Sequence, residues 1–188
     1  QLVRSGYVWV DLDVRGTGFS EGVWDVAGPR EQQDIQEVID WISKQPFSNG
    51  KVGMTGPSYH AIAALQAASH RPPALKAVFA AEPATDIVND VAFRGGALNI
   101  GFLPLWLHLV NGLKRVPDVQ SIAQGTYEQT YAKWIDDRAK DPTTLSSALY
   151  TVLNARSMPD LSGPEVAGLL DARSPWRQAV RTDMSRIN

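Results

Sequence analysis

A parallel α/β fold is what this 188-residue sequence predicts. Three observations carry the prediction. Short β-rich apolar runs recur at 6–14, 52–55 and 75–81, segments of helical character separate them, and the second run ends in Gly56-Pro57-Ser58 directly before an alanine-rich stretch. Strand, helix, strand, helix, strand in that order builds a parallel sheet through right-handed crossovers.

The first run, GYVWVDLDV, is apolar without helical spacing, as in a strand buried on both faces of a parallel sheet. It opens into Arg15-Gly16-Thr17-Gly18-Phe19-Ser20-Glu21-Gly22, where the glycines mark a tight loop. Nucleotide binding is excluded there. A phosphate cradle needs G-x-G-x-x-G opening a helix, or a lysine after the glycines, and neither is present. A helix follows from Pro29 and Arg30. Ile35, Val38, Ile39 and Ile42 fall at i, i+3, i+4 and i+7, which makes one buried face. Glu31 and Asp34 suit its positive N-terminal end and Lys44 its negative C-terminal end.

Residues 45–50 end that helix and turn into the strand at 52–55. The next helix must start close to the sheet, and Ala61, Ala63, Ala64, Ala67 and Ala68 permit that approach, with Ile62 and Leu65 as larger contacts. Arg71-Pro72-Pro73 breaks the chain before the third strand at 75–81. From Asp86 onward helical segments replace strands. The expected helices are 98–116 with an interruption at Pro104, an amphipathic 127–140 bearing Tyr127, Tyr131, Trp134 and Ile135, and 145–155. The domains expected are therefore 1–85, a parallel-sheet core, and 86–188, a helical segment.

Composition narrows the function. With net charge −2 and no basic stripe, nucleic acid is not an expected partner, and no Lys/Arg cluster suggests a membrane surface. The most apolar stretch, 97–110, contains Asn99, Pro104 and His108 and is too short to span a bilayer. Zero cysteines rule out disulfides, thiolate metal sites and a cysteine nucleophile, and select no compartment. No metal site or cofactor is expected.

The chemistry concentrates at Ser58. A serine on a sharp strand-to-helix turn has its hydroxyl lifted above the sheet, with N–H groups of the new helix directed at the attack site. The usual pattern is G-x-S-x-G, and here position 60 is histidine. The bland alternative is an ordinary turn with Ser58 capping the helix.

Several stretches together resemble the cocaine esterase and Xaa-Pro dipeptidyl-peptidase group of α/β-hydrolases, the CocE/NonD hydrolases. They are Gly6-Tyr7-Val8, Asp13-Val14-Arg15-Gly16-Thr17-Gly18, Ser20-Glu21-Gly22, Asp34, Trp41-Ile42, then Gln45 through Gly53, Gly56-Pro57-Ser58-Tyr59, and Pro73-Ala74-Leu75-Lys76-Ala77. Order and spacing fit over residues 5–85. The resemblance implies a partial α/β-hydrolase fold, with 86–188 in the place of the helical cap this family inserts. It implies a serine hydrolase acting on esters or amides through an acyl-enzyme, with small-molecule ester, amide or short peptide substrates. Ser58 would be the nucleophile and the Tyr59 backbone N–H one oxyanion donor.

A serine needs a base, and the base an orienting acid. His60 stands two residues from Ser58, a spacing at which helical side chains do not face each other. His70 is twelve residues along, about 18 Å away on a helix, and reads as a C-terminal dipole partner or surface residue. His108 sits in an apolar stripe with Leu105, Leu107 and Leu109 and reads as a core or cleft-wall histidine. Glu82 and Asp86 follow the third strand and could reach the pocket, although Asp86 also suits a helix cap. In the family the acid and histidine follow strands beyond the cap, and a second oxyanion donor, a tyrosine hydroxyl, comes from a loop preceding position 1. The expectation is an internal fragment with the nucleophile but neither acid nor histidine, inactive alone. Phe93, Phe102, Trp106 and Trp134 could line an apolar acyl pocket or simply form core. The competing function is a non-catalytic binding module that keeps the fold, and an unreactive Ser58 would identify it.

Overall fold

The computed structural model describes residues 1–115, 119–129, 132, 138 and 175–187. The chain forms two compact units, each drawn from separated stretches. The first comprises Gln1–Leu12, Gln32–Asp86 and Arg181–Asn188, and the second Asp13–Glu31 and Ile87–Val180.

The first unit is built on a parallel pair of strands, β1 (Val52–Pro57) and β2 (Leu75–Ala81), in register from Gly53 opposite Ala77 to Pro57 opposite Ala81. Helix α2 (Tyr59–His70) makes the crossover between them and packs on both strands. Its alanines serve the close approach expected of them. Ala61 and Ala64 are fully buried, and burial extends around the helix to Ile62, Leu65, Gln66 and Ser69. The preceding helix, α1 (Pro29–Ser43), contributes Ile39 to a core with Val52 and Ala67, flanked by Ile35, Ile42, Met54, Ala74 and Leu75. Its predicted apolar face is the one buried.

The end of α2 is set by Arg71, left-handed at φ 54° with its N–H on the Ala68 carbonyl, and by Pro72. Residues near the C-terminus return to this unit. Arg181 bridges Asp86 in antiparallel fashion, and the Thr182 N–H donates to the Thr85 carbonyl at 2.7 Å. The 3-10 turn Met184–Arg186 packs against α2, where the Arg186 carbonyl accepts from Arg71 Nε.

His70 differs from its expected role. It occupies the last turn of α2, and its Nε2 hydrogen-bonds Gln32 Oε1 at 2.8 Å on α1, so it is not a free surface group. Burial, reinforced by the nearby Arg186 charge, pushes its pKa below the usual histidine value, opposite to what a helix C-terminus would do. A lowered folded pKa means the unfolded chain binds the proton more readily. The stabilisation is therefore complete above the unfolded value of about 6.5 and is lost as pH falls through the folded pKa. We expect the Tm to drop more between pH 7.5 and pH 5 in the native protein than in His70→Gln. Equal drops would show that His70 does not titrate with folding.

One predicted strand is not formed. Residues 6–14 join no ladder among the described residues, and Tyr7, Val8 and Trp9 are each more than half exposed. An apolar run reports a capacity for burial, whereas a strand exists only where a neighbour takes its N–H and C=O groups.

In the second unit the glycine loop closes on Asp13. The Asp13 carboxylate accepts the Phe19 N–H at 2.9 Å, its carbonyl accepts Ser20 Oγ at 2.6 Å, and Gly16 N–H donates to the Glu21 carbonyl at 3.1 Å. Gly16 is required here, since a Cβ would lie 2.5 Å from the Trp24 backbone nitrogen. Buried Arg138 donates to the Gly18 carbonyl. Burial works against its charge, while the Asp13 carboxylate supports it.

Asp25 caps the start of α1, taking the N–H groups of Arg30 at 3.0 Å and Glu31 at 3.3 Å. Glu31, expected to serve the helix dipole, is buried and accepts from Trp24 Nε1 at 3.0 Å and the Ala27 N–H at 2.8 Å. These bonds secure Val26 and Ala27 in left-handed backbone, φ 47° and 57°.

Beyond β2 the described elements are all helical: a π-helical segment Ile87–Ala92, a 3-10 turn Arg94–Gly96, α3 (Leu103–Arg115), α4 (Val119–Gln124) and the short helix Pro175–Ala179. Pro104 does not interrupt α3. It is the second residue, within the first turn, where a backbone N–H has no intrahelical acceptor to lose. Helical backbone recurs at 127–129, 132 and 138, while Tyr131, Trp134, Ile135 and the expected helix at 145–155 lie outside the described residues. Among the described residues no helix is long and apolar enough to cross a membrane.

Candidate functional site

Between the last residue of β1, Pro57, and the first of α2, Tyr59, stands one residue, Ser58. Reversing direction in so short a space forces it to φ 55°, ψ −117°, a region that L-residues other than glycine rarely enter. Its backbone is secured on both sides. The Ser58 N–H extends the sheet by donating to the Ala81 carbonyl at 2.9 Å, and its carbonyl starts the helix by accepting from Ile62 at 3.0 Å.

The side chain is exposed and makes no capping hydrogen bond. That removes the capping explanation for this serine. Its Oγ is bonded to no described residue, and it stands beside the positive end of a twelve-residue helix. Tyr59 occupies the first position of that helix, so its backbone N–H belongs to the amino-terminal turn.

The departure from the glycine pattern at position 60 is accommodated from the other side. A Cβ on Gly56 would fall 2.4 Å from His60 Cβ and 3.1 Å from its Cγ. In a turn this tight, residues two before and two after the serine meet, and one of them has to lack a side chain.

The other candidates are dispersed. His60 is exposed on the first turn of α2, and His70 is engaged with Gln32 at its far end. His108 lies in α3, and its side chain is outside the described residues. Asp86 is buried and pairs through its backbone with Arg181. Glu82 is exposed immediately after β2, in left-handed backbone at φ 56°.

Of the aromatics in the second unit, Trp106 meets Phe102 in a stacked pair at 6.4 Å and Trp24 in a tilted one at 6.1 Å. Trp24 was not a sequence candidate, because nothing local links it to a residue 82 positions away (106 − 24). Phe93 is partly buried, and Trp134 lies outside the described residues. No group of three His, Cys, Asp or Glu that could hold a metal ion occurs among the described residues.

Comparison with known proteins places this geometry in context. The pattern of the X-Pro dipeptidyl-peptidase (S15) family matches residues 1–158. A putative serine esterase of Mycobacterium bovis is 36% identical over 110 residues, which cover 56% of this chain and 17% of that protein. The cocaine esterase of a Rhodococcus species is 33% identical over 111 residues, 58% of this chain and 19% of that enzyme. A putative Xaa-Pro dipeptidyl-peptidase of Streptomyces avermitilis is 33% identical over 73 residues, 31% of this chain and 11% of its own length. Among solved structures, a CocE/NonD family hydrolase from Staphylococcus aureus superposes with a TM-score of 0.53 at 32% identity, covering 68% of this chain and 24% of that one. The match thus spans less than a fifth of each of these curated relatives.

Proposed function

The chain belongs to the X-Pro dipeptidyl-peptidase (S15) family, and from that membership we propose that it carries the nucleophile of a serine hydrolase. Its parallel strand pair and crossover helix are those of a partial α/β-hydrolase fold. We propose further that residues 1–85 supply the hydrolase core and 86–188 the helical cap.

In this reading Ser58 Oγ attacks the carbonyl carbon of an ester or amide. The tetrahedral oxyanion collapses, the alcohol or amine departs with a proton, and an acyl-enzyme remains on Ser58 for water to cleave. The Tyr59 N–H supplies one oxyanion donor, and the amino end of α2 favours the developing negative charge. The base and its acid come from outside the described residues, since His60 stands two residues from Ser58, where helical side chains do not face each other, and His70 is engaged with Gln32. Substrates are small esters, amides or short peptides, a reading supported by relatives named as an esterase and a putative dipeptidyl-peptidase.

The observation that carries the proposal is the strained, exposed and uncapped Ser58. Backbone in such a region costs roughly 1–3 kcal/mol, and a serine without a capping bond does nothing locally to offset it. A fluorophosphonate probe tests it. Labelling that maps to the peptide containing Ser58 supports the hydrolase, whereas a folded sample that stays unlabelled favours a non-catalytic binding module.

A further inference from the structure

The sequence contains two asparagine–glycine pairs, Asn49-Gly50 and Asn111-Gly112. In such a pair the backbone nitrogen after asparagine is unshielded, because glycine has no side chain to block its approach to the carboxamide carbon. The structure treats the two pairs differently. Asn111-Gly112 lies inside α3, where the helical ladder fixes the backbone and engages the Gly112 N–H. Asn49-Gly50 lies in the turn between α1 and β1. There Asn49 is exposed, and Gly50 is left-handed at φ 81° with open space where a Cβ would stand.

The neighbours of Asn49 orient both reacting groups. Its Oδ1 accepts the Lys51 N–H at 3.1 Å, which folds the side chain over Gly50 and keeps Cγ beside the Gly50 nitrogen. That same N–H is a donor for negative charge developing on Oδ1. The Gly50 N–H, whose proton has to leave, donates to Ser48 Oγ at 3.1 Å. Ser48 is itself anchored by its N–H on the Gln45 carbonyl at 2.9 Å.

We propose that residues 48–51 form a self-modifying site at which Asn49 is deamidated. The Gly50 N–H proton passes by way of Ser48 Oγ to hydroxide, and the nitrogen bonds to Asn49 Cγ. The Cγ–Nδ2 bond breaks, ammonia leaves with a proton from water, and a cyclic imide remains. Water then opens the imide. Attack at Cγ gives aspartate, and attack at the main-chain carbonyl gives isoaspartate. Nothing is oxidised or reduced: water is consumed, ammonia is released and a negative charge is gained. Aspartate keeps an acceptor for the Lys51 N–H. Isoaspartate lengthens the main chain just ahead of Val52, whose N–H donates to the Ala74 carbonyl at 2.9 Å where β1 meets β2, so this product loosens the start of the sheet. The site stands apart from the reading of Ser58.

The test incubates the whole chain in mildly alkaline buffer over days and follows its tryptic peptides by mass spectrometry. Cleavage after Lys44 and Lys51 releases residues 45–51, in which Asn49 is the only asparagine. The mass of that peptide rises by the difference between water gained and ammonia lost, and an isoaspartyl methyltransferase reports the isoaspartate fraction. Asn49 converts severalfold faster than Asn111, and severalfold faster in the folded chain than in a synthetic, end-capped peptide of residues 45–51. Ser48→Ala, with thermal unfolding confirming its fold, slows the conversion by about fivefold, as for the loss of one hydrogen bond. A synthetic peptide that converts as fast as the folded chain overturns the proposal, because the turn then contributes nothing. An Asn111 that keeps pace overturns it too, and so does a Ser48→Ala chain that converts at the native rate.

Discussion

Ser58→Ala is expected to lower kcat by roughly 10⁴- to 10⁶-fold and to abolish fluorophosphonate labelling, because the covalent route disappears with the hydroxyl. The fold should be unaffected, since the anchoring bonds to Ala81 and from Ile62 are made by the backbone of residue 58. Alanine at φ 55° carries the same backbone strain as serine, so Tm should hardly move. Glycine is the informative companion. It enters this region without a Cβ penalty, and the relief of about 1–3 kcal/mol is partly offset by about 1 kcal/mol of extra chain entropy in the unfolded state. Ser58→Gly should therefore be as inactive as Ser58→Ala and more stable by about 1 kcal/mol. Thermal unfolding alongside ester hydrolysis checks both. A protein that keeps its activity as Ser58→Ala is not using this serine, and a glycine variant no more stable than alanine would show that the turn is unstrained.

The turn around Ser58 was legible because its causes are local. A short strand, a glycine, a serine and a run of alanines occupy consecutive positions, and chain reversal leaves few conformations open to them. The apolar face of α1 was legible for the same reason, as helical geometry relates Ile35, Ile39 and Ile42 without outside information. The motif blocks in residues 5–85 sufficed to identify the family. What local reading missed depends on distant partners. His70 looked like a helix-end cation, but its surroundings are set by Gln32, 38 residues earlier, and by Arg186, far later in the chain. Arg138 secures the glycine loop across 120 residues. Residues 6–14 have strand composition but no ladder partner among the described residues, and composition cannot supply one. Val26 and Ala27 are the hardest case, since β-branched valine is among the residues least suited to positive φ. The buried Glu31 carboxylate on the Ala27 N–H helps hold that conformation.

Gly56→Ala is the second substitution expected to have a large effect, and it carries its own control. The added methyl would lie 2.4 Å from His60 Cβ, far inside van der Waals contact. Neither partner can swing away, because both atoms are fixed by backbone, one at the end of β1 and the other in the first turn of α2. The backbone around Ser58 has to open instead, at a cost of about 1–3 kcal/mol for an overpacked site. A displacement of about 1 Å at the nucleophile costs on the order of 10²-fold in rate, so activity should fall further than stability alone implies. His60→Gly should be tolerated, since it restores the glycine of the usual pattern, with a cost of about 1 kcal/mol for glycine within a helix. The double variant should then recover part of the labelling and hydrolysis lost in Gly56→Ala, because the clash with His60 is gone while alanine at φ 157° stays strained. Additive defects would locate the damage elsewhere in the turn. Recovery would show that an elbow can hold a histidine after its serine only because the residue two before it has no side chain.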